Sequence, residues 1–378
     1  MKILLTHFHS LQNAGDAAGL QVCLSQLRQR FPGARFSVVS DHPLEPGYQT
    51  LDVEALPSPA ALLRGTGGWP ALRCAFQQAD LILQAPGNQL FSIGRLRLPM
   101  LLAFWQAWLA GNRRAPYFLL PCSLGPFHTT AEAALARAVL RRARRVYLRE
   151  PLSLRQAQAW GLPARLAADP VFLLPSAPPE AARAELRAIG WQPERPALGL
   201  SLIPRMTRSL GADALRRQRA AAAEALAALA AAEAGLQLVF FPQVSGPAAN
   251  EDDRQAARAL TELLPGGVEL LHFPAGRSPA LLKAAYGQMQ AVLAGRLHAG
   301  LLAFASGAPP LLLGYLSKTR GTAELLDWWD WLLDWDDPHA ERLSGLLARF
   351  WAARDQLAQA CRTGAARLAE NALTPFDE

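Results

Sequence analysis

Charged residues are scarce in this chain: they make up 18% of its 378 residues, whereas hydrophobic residues make up 51%. This balance is typical of a globular α/β protein and excludes a disordered or fibrous chain. The four cysteines, Cys23, Cys74, Cys122 and Cys361, form no CxxC pair, so neither a zinc site nor a disulfide framework is indicated. We therefore expect a cytoplasmic protein with no required metal.

Long hydrophobic runs are also lacking. The most apolar stretch, residues 98–110, has about 13 residues, against the roughly 20 that a membrane helix needs, and the apolar run after Lys2 is too short for a signal peptide. Two interpretations of residues 98–110 stay open: a buried core helix, which the length favours, and a peripheral helix that docks on lipid phosphates at the inner face of a membrane. The second depends on the cations at the ends of the stretch, Arg95, Arg97, Arg113 and Arg114.

The net charge is +7 and the pI is about 9.7. Such a surface attracts anions, among them phosphorylated metabolites, lipid phosphates and nucleic acid. Nucleic acid has the least support, because the arginines are scattered and no aromatic-basic motif of a nucleic-acid reader is present. We expect no nucleic-acid partner.

The length predicts two domains, and the order of elements predicts their class. Predicted strands alternate with helices from the first strand at residues 2–8 onwards, which indicates parallel sheets. The prolines of residues 175–179 mark a linker. We predict two Rossmann-like domains that face a cleft, residues 1–175 and 176–335, and a helical segment, residues 336–378, that crosses back over the first domain.

The segment from Ala294 to Gly321 carries the strongest functional signal. Arg296 and His298 follow one predicted strand and open a helix, whose N-terminus favours an anion. Lys318 follows the next strand, in a predicted loop. Because open α/β sheets bind ligands at the carboxyl ends of their strands, the three side chains are predicted to meet at one anionic substrate that needs proton transfer. The alternative is a structural histidine with two surface cations.

Short motifs follow one another along the chain. They are Asn13-Ala14-Gly15-Asp16, Ser123 to Phe127, Arg149-Glu150 with Ser153, Ala168 to Phe172, Pro242 to Pro247 with the acids Glu251-Asp252-Asp253, Arg296-Leu297-His298, and Tyr315 with Lys318. In this order, over roughly residues 3–325, the chain resembles the polysaccharide pyruvyl transferase family. The resemblance implies a fold like that of GT-B glycosyltransferases. It also implies transfer of a pyruvyl group from phosphoenolpyruvate, as a ketal, to a sugar of a cell-envelope or exopolysaccharide glycan, including a glycan carried on a lipid.

The resemblance and the strand-end positions together assign candidate roles. No cofactor is implied, since phosphoenolpyruvate is a co-substrate. His298 and Arg296 are the catalytic candidates, with His298 as the proton donor and acceptor. Phosphoenolpyruvate is assigned to Arg296, Lys318 and Arg205, with Arg208 as the alternative to Arg205.

The acceptor sugar is assigned to the first domain, to Asn13, Asp16 and Ser123. Asn13 and Asp16 also fit a turn with a helix N-cap, which is the structural alternative. The acids at residues 251–253 open a predicted helix, so we interpret them as capping and dipole partners rather than as metal ligands. The tryptophan-rich residues 327–335 are interpreted as a helix or turn whose tryptophans pack on the domain face.

Two other functions stay open. One is a sugar-nucleotide glycosyltransferase on the same scaffold, for which an acidic residue should hold the ribose; Glu324 is the one acid near Lys318 in the sequence. The other is a non-catalytic glycan-binding relative.

Overall fold

The structure is a computed structural model, which describes residues 1–91, 98–204, 212–314, 316–335 and 340–377. Arg205, Arg208 and Tyr315 lie outside these ranges. The chain divides into two compact units. Unit 1 contains Met1–Leu11, Asp16–Leu173 and Ala369–Glu378, and unit 2 contains Gln12–Gly15 and Leu174–Leu368.

Unit 1 alternates strands and helices. In chain order they are β1 (Lys2–Phe8), α1 (Ala14–Arg30), β2 (Arg35–Ser40), α2 (Gly47–Thr50), β3 (Glu54–Pro57), α3 (Pro59–Leu63), α4 (Trp69–Gln78), β4 (Leu81–Gln84), β5 (Gly87–Leu90), α5 (Leu98–Gly111), β6 (Tyr117–Leu124), α6 (Thr130–Leu140), β7 (Arg145–Leu148), α7 (Pro151–Ala159) and β8 (Ala164–Leu166). The parallel sheet has the strand order β3-β2-β1-β4-β6-β7-β8, and β5 also pairs with β6.

Alternate residues of β1 point to opposite faces of this sheet, as the pleat requires. Leu4 packs in a core cluster with residues of α4, α5 and α6, whereas Ile3 and Leu5 pack in a second cluster with residues of α1. Phe376, near the C-terminus, belongs to the second cluster. The predicted return of the C-terminal helix to the first domain is therefore confirmed.

Unit 2 has the same alternation. Its elements are α8 (Pro179–Ala188), β9 (Ala197–Ser201), α9 (Ala212–Ala232), β10 (Gln237–Phe240), α10 (Arg254–Leu263), β11 (Leu270–His272), α11 (Pro279–Tyr286), β12 (Ala291–Ala294), α12 (Leu297–Ser306), β13 (Pro310–Gly314), α13 (Ser317–Leu326), β14 (Leu332–Asp334), α14 (Ala340–Ala352) and α15 (Arg354–Asp377), whose last residues lie in unit 1. The parallel strand order is β11-β10-β9-β12-β13-β14. The order reverses between β9 and β12, which makes their carboxyl ends a topological switch point.

The predicted fold class, α/β with two Rossmann-like parallel sheets, is confirmed. One prediction about the C-terminal part is wrong, because residues 332–334 form strand β14 at the edge of the second sheet rather than a helix or turn. Another correction concerns Lys318, which lies in the first turn of α13 and not in a loop.

Among the described residues, no helix is both long and apolar enough to cross a bilayer.

The interpretation of the tryptophans as packing residues is confirmed at two positions. Trp328 is buried and its Nε1 donates a hydrogen bond to the carbonyl oxygen of Pro310 at 2.7 Å. Trp335 is also buried, whereas Trp329 is 49% exposed. The segment thus attaches β14 to the sheet and leaves one ring in solvent.

His7 lies in β1 with a positive φ of 68° and is buried. Its Nε2 lies 2.9 Å from the carbonyl oxygen of Ala103 in α5, and its Nδ1 lies 2.9 Å from Thr6 Oγ1. A carbonyl accepts hydrogen bonds only, so Nε2 carries the proton and Nδ1 accepts from the threonine. Burial lowers the pKa of His7 from its ordinary value of 6.5 to about 4.

This pKa predicts a loss of stability in acid. The unfolded chain protonates this histidine below pH 6.5 and the folded protein only near pH 4. The free energy of unfolding therefore falls by about 3 kcal/mol over that range. His7→Asn keeps a residue that tolerates positive φ but does not titrate. We expect the thermal midpoint of wild type, relative to that of His7→Asn, to be several degrees lower at pH 4 than at pH 7. An equal difference at the two pH values would contradict the lowered pKa of His7.

Candidate functional site

The candidate site lies at the carboxyl ends of the central strands of unit 2. Arg296 and His298 follow β12 directly, and α12 begins at Leu297 between them. Lys318 follows the neighbouring strand, β13. All three side chains are partly exposed. The topology therefore places all three at the carboxyl edge of one sheet, with Arg296 and His298 at its switch point.

Arg296 is held by a buried carboxylate. Its Nε lies 3.1 Å and 3.2 Å from the two carboxylate oxygens of Asp253, and its Nη2 lies 2.6 Å from Oδ1. Nη2 also donates to the carbonyl oxygen of Glu251 at 3.0 Å. Such a fork of donors fixes the plane of the guanidinium.

Asp253 also binds the chain that follows β10. Its Oδ2 accepts hydrogen bonds from the backbone N–H groups of Gln243 and Val244, both at 3.0 Å. Burial raises the pKa of the Asp253 carboxyl, and the charge and hydrogen bonds of Arg296 oppose this shift. The capping interpretation is wrong for this residue, because its side chain makes no capping hydrogen bond to α10. Asp252 accepts one from the backbone N–H of Arg254 at 3.0 Å instead.

His298 packs against the loop after β1. A Cβ added to Gly15 would lie 2.1 Å from His298 Nδ1 and 2.4 Å from its Cγ, so only glycine leaves room for the imidazole. Backbone hydrogen bonds join this loop, which belongs to unit 2, to the chain after β10: Ala14 N donates to Gln243 O at 2.8 Å and Ser245 N donates to Gln12 O at 3.1 Å. Residues 12–15 thus support the ring of the candidate catalytic histidine.

A family model described as "Polysaccharide pyruvyl transferase" matches residues 13–317. The chain belongs to this family. The match begins at the loop that supports His298 and ends in the first turn of α13. The search of curated proteins found no significant match.

Several solved structures of low sequence identity share the fold of this chain. The S. aureus MnaA–UDP co-structure has a TM-score of 0.63 at 10% identity and covers 100% of this chain and 97% of that one. The UDP-GlcNAc 2-epimerase of Neisseria meningitidis, bound to UDP-GlcNAc, has a TM-score of 0.60 at 10% identity, with 99% and 100% covered. Sucrose-phosphate synthase of Thermosynechococcus elongatus has a TM-score of 0.59 at 13% identity, and the match covers 100% of this chain and 96% of that one. These likenesses show a GT-B-like fold.

The three residues predicted to bind the acceptor have different surroundings. Asn13 Oδ1 accepts a hydrogen bond from Gly15 N at 3.0 Å just before α1, so the N-cap interpretation is confirmed for Asn13. Asp16 lies in the first turn of α1 and is partly exposed. Ser123 is 1% exposed, and its Oγ accepts from Arg149 Nε at 2.8 Å. Contact of any of them with a sugar stays a prediction.

Several family motifs of unit 1 take part in buried polar contacts. Arg149 Nη1 lies 2.8 Å from Asp169 Oδ2, and the two side chains are 2% and 5% exposed. Asp169 Oδ1 accepts from Val171 N at 3.0 Å. Ser153 Oγ accepts from Leu124 N at 2.7 Å and also hydrogen-bonds Glu150. These motifs connect the carboxyl ends of β6, β7 and β8.

Sequence reasoning missed a second cluster, in unit 1. His9 Nδ1 lies 2.9 Å from Asp41 Oδ2, and Ser58 Oγ donates to Asp41 Oδ1. Burial alone would raise the pKa of Asp41, but the hydrogen bonds from His9 and Ser58 outweigh it and lower the pKa. The signal was available: each residue comes just after one of the adjacent strands β1, β2 and β3. Within the described part of the chain, no group of three His, Cys, Asp or Glu side chains is arranged to hold a metal.

The close approach of Gly15 to His298 predicts an unusual response to alanine. Replacing a helical glycine by alanine ordinarily stabilises a protein by about 0.5–1 kcal/mol. At Gly15 the new Cβ must displace the imidazole, and overpacking costs about 1–3 kcal/mol. We expect Gly15→Ala to lower the thermal midpoint.

The matched control is Gly345→Ala in α14, where an added Cβ meets no atom within 4 Å. This variant should raise the midpoint. If Gly15→Ala raised it equally, His298 would not rest on Gly15.

Proposed function

We propose that this protein transfers a pyruvyl group from phosphoenolpyruvate to two hydroxyls of a sugar, in the cytoplasm, on a cell-envelope or exopolysaccharide glycan. The observation that carries the proposal is the pair Arg296 and His298 at the switch point of unit 2. Each is fixed by a specific partner, Asp253 and Gly15, and each stays partly exposed. Membership of the family supports the reaction class.

The reaction needs a proton donor and a site for anions. The methylene carbon of phosphoenolpyruvate must take a proton before an acceptor hydroxyl attacks the neighbouring carbon, and that hydroxyl loses a proton. The second hydroxyl then forms the ketal as phosphate leaves, and the departing phosphate takes up the proton of that hydroxyl. Histidine is the side chain whose ordinary pKa suits both proton transfers near neutral pH. His298 fills this role.

The positive charge for the substrate comes from several groups. Asp253 neutralises part of the charge of Arg296, so Arg296 alone does not balance a phosphate and a carboxylate. Lys318 supplies a second cation from the adjacent strand end, and a compact ammonium suits a departing phosphate. The N-terminus of α12, at Leu297, adds a dipole that favours anions. Arg205 remains the predicted third cation.

The acceptor is assigned to unit 1. Of the three acceptor candidates, Asp16 has the surroundings that best suit a sugar contact, because it is partly exposed at the start of α1. Ser123 is buried against Arg149, so it contributes by positioning that loop.

Ligand binding and turnover test the proposal separately. Phosphoenolpyruvate should raise the thermal midpoint of wild type, because a ligand that binds only the folded state stabilises it. His298→Gln should keep most of this increase. Its release of phosphate, measured with phosphoenolpyruvate and a panel of hexoside acceptors, should fall by roughly 10²- to 10⁴-fold, the usual contribution of a general acid or base.

The control is His272→Gln, which changes an exposed histidine at the end of β11 and should alter neither measurement. Three outcomes would contradict the proposal. Stabilisation by a UDP-sugar and not by phosphoenolpyruvate would indicate a sugar-nucleotide enzyme. Unchanged phosphate release in His298→Gln would exclude His298 as proton donor. Binding of glycans without any phosphate release would indicate a non-catalytic relative.

A further inference from the structure

One face of α5 is exposed and aromatic. Leu101, Trp105 and Trp108 follow one another at the spacing of a helix face and are 38%, 37% and 45% exposed. Trp69 of α4 is 48% exposed, and its ring lies edge-on to that of Trp105, with centroids 5.8 Å apart. We call these four side chains the tryptophan patch. Large apolar side chains grouped on a surface mark an interaction site.

The opposite face of α5 is buried. Phe104, Ala107 and Ala110 belong to a core cluster of unit 1, together with residues of β4 and β6. The helix is therefore fixed in the fold while its outer face stays in solvent. The buried face agrees with the interpretation of residues 98–110 as a core helix. That interpretation does not explain why the other face exposes tryptophans.

The part of the sequence that carries the patch is rich in arginine and poor in acids. Residues 58–145 contain eleven arginines and two acids, Asp80 and Glu132. Glu132 is buried in the capping box of α6, where its carboxylate accepts from Thr129 N. The guanidinium of Arg142 lies 5.9 Å from the ring centroid of Trp108, and Arg114 and Arg141 are exposed. The part of unit 1 that carries the patch is thus strongly cationic.

We propose that the tryptophan patch docks on the surface of an anionic phospholipid bilayer. Tryptophan rings favour the boundary between lipid head groups and acyl chains. Arginines beside them would contact lipid phosphates, and cations attract the protein to an anionic leaflet. Exposed apolar side chains and an excess of positive charge together match an anionic lipid surface. The proposal involves residues of unit 1 outside the candidate site, so it stands or falls independently of the proposed reaction.

Vesicle flotation of the full-length protein tests this docking. Vesicles of phosphatidylcholine with an equal part of phosphatidylglycerol should bind wild type, and vesicles of phosphatidylcholine alone should bind it much more weakly. The double variant Trp105→Ser with Trp108→Ser should lose most of the binding. The matched control, Trp329→Ser, removes a tryptophan of similar exposure (49%) from unit 2 and should bind as wild type does.

The cations are tested in the same assay. Arg114→Glu with Arg141→Glu should weaken binding to the anionic vesicles by at least about 25-fold, since each cation near the surface contributes roughly fivefold. Arg342→Glu, an exposed arginine of α14, is the control and should have little effect. Binding should also weaken as the salt concentration is raised from 50 to 500 mM, because salt screens the attraction between the arginines and the anionic lipids.

A patch variant could fail to fold, so a second test uses wild type alone. It measures how far brominated lipid in anionic vesicles quenches the tryptophan fluorescence of the protein. Strong quenching is expected. The proposal is overturned by absent binding or quenching with wild type, by binding that survives in the patch variants, or by an equal loss in Trp329→Ser. The proposal would also be overturned if wild type formed a dimer and bound no vesicles, and if the tryptophan variant were a monomer. The patch would then bind a second copy of the chain.

Discussion

The candidate site depends on one buried carboxylate. Asp253 is fully buried and accepts hydrogen bonds from Arg296, which follows β12, and from the backbone of Gln243 and Val244, which follows β10. The same backbone segment pairs with the loop that supports His298, through Ala14. Removing the arginine would leave the buried charge of Asp253 without its counter-ion, and such a loss costs about 3–5 kcal/mol in buried pairs. Arg296 and the chain after β10 therefore meet at the side chain of Asp253, and the loop that supports His298 is attached to the same chain segment.

The sequence predicts those parts of the fold and site that have local signals. Apolar runs and helical spacing place β12, α12 and β13, and the rule for parallel sheets then puts Arg296, His298 and Lys318 at one edge. It does not predict that Gly15 makes room for His298, because the two are far apart in the chain and the contact depends on packing. The strand β14 escapes prediction because its three residues, Leu332 to Asp334, are too few to show a strand period, and pairing with β13 decides their conformation.

The buried network around Arg149 shows why a family motif is not by itself a functional site. Ser123, Arg149 and Asp169 all lie in motifs of the family, yet their polar atoms bind one another below the surface. A sequence motif reports that a residue type is needed, whether for a reaction or for a scaffold. Burial distinguishes the two, and burial depends on tertiary contacts that a single sequence does not contain. Conversely, His9 and Asp41 lie in no motif recognised from the sequence, although they form a hydrogen-bonded pair at strand ends.

The ion pair also explains why the site uses arginine. The guanidinium of Arg296 binds Asp253 through Nε and Nη2 while Nη2 reaches the carbonyl of Glu251, and this combination requires a planar fork. A lysine has a single nitrogen and would satisfy fewer of these acceptors. Asp253 would then keep a charge that burial disfavours. The orientation of the Arg296 guanidinium is thus set by a residue that is itself fully buried, and it follows from the fold of unit 2.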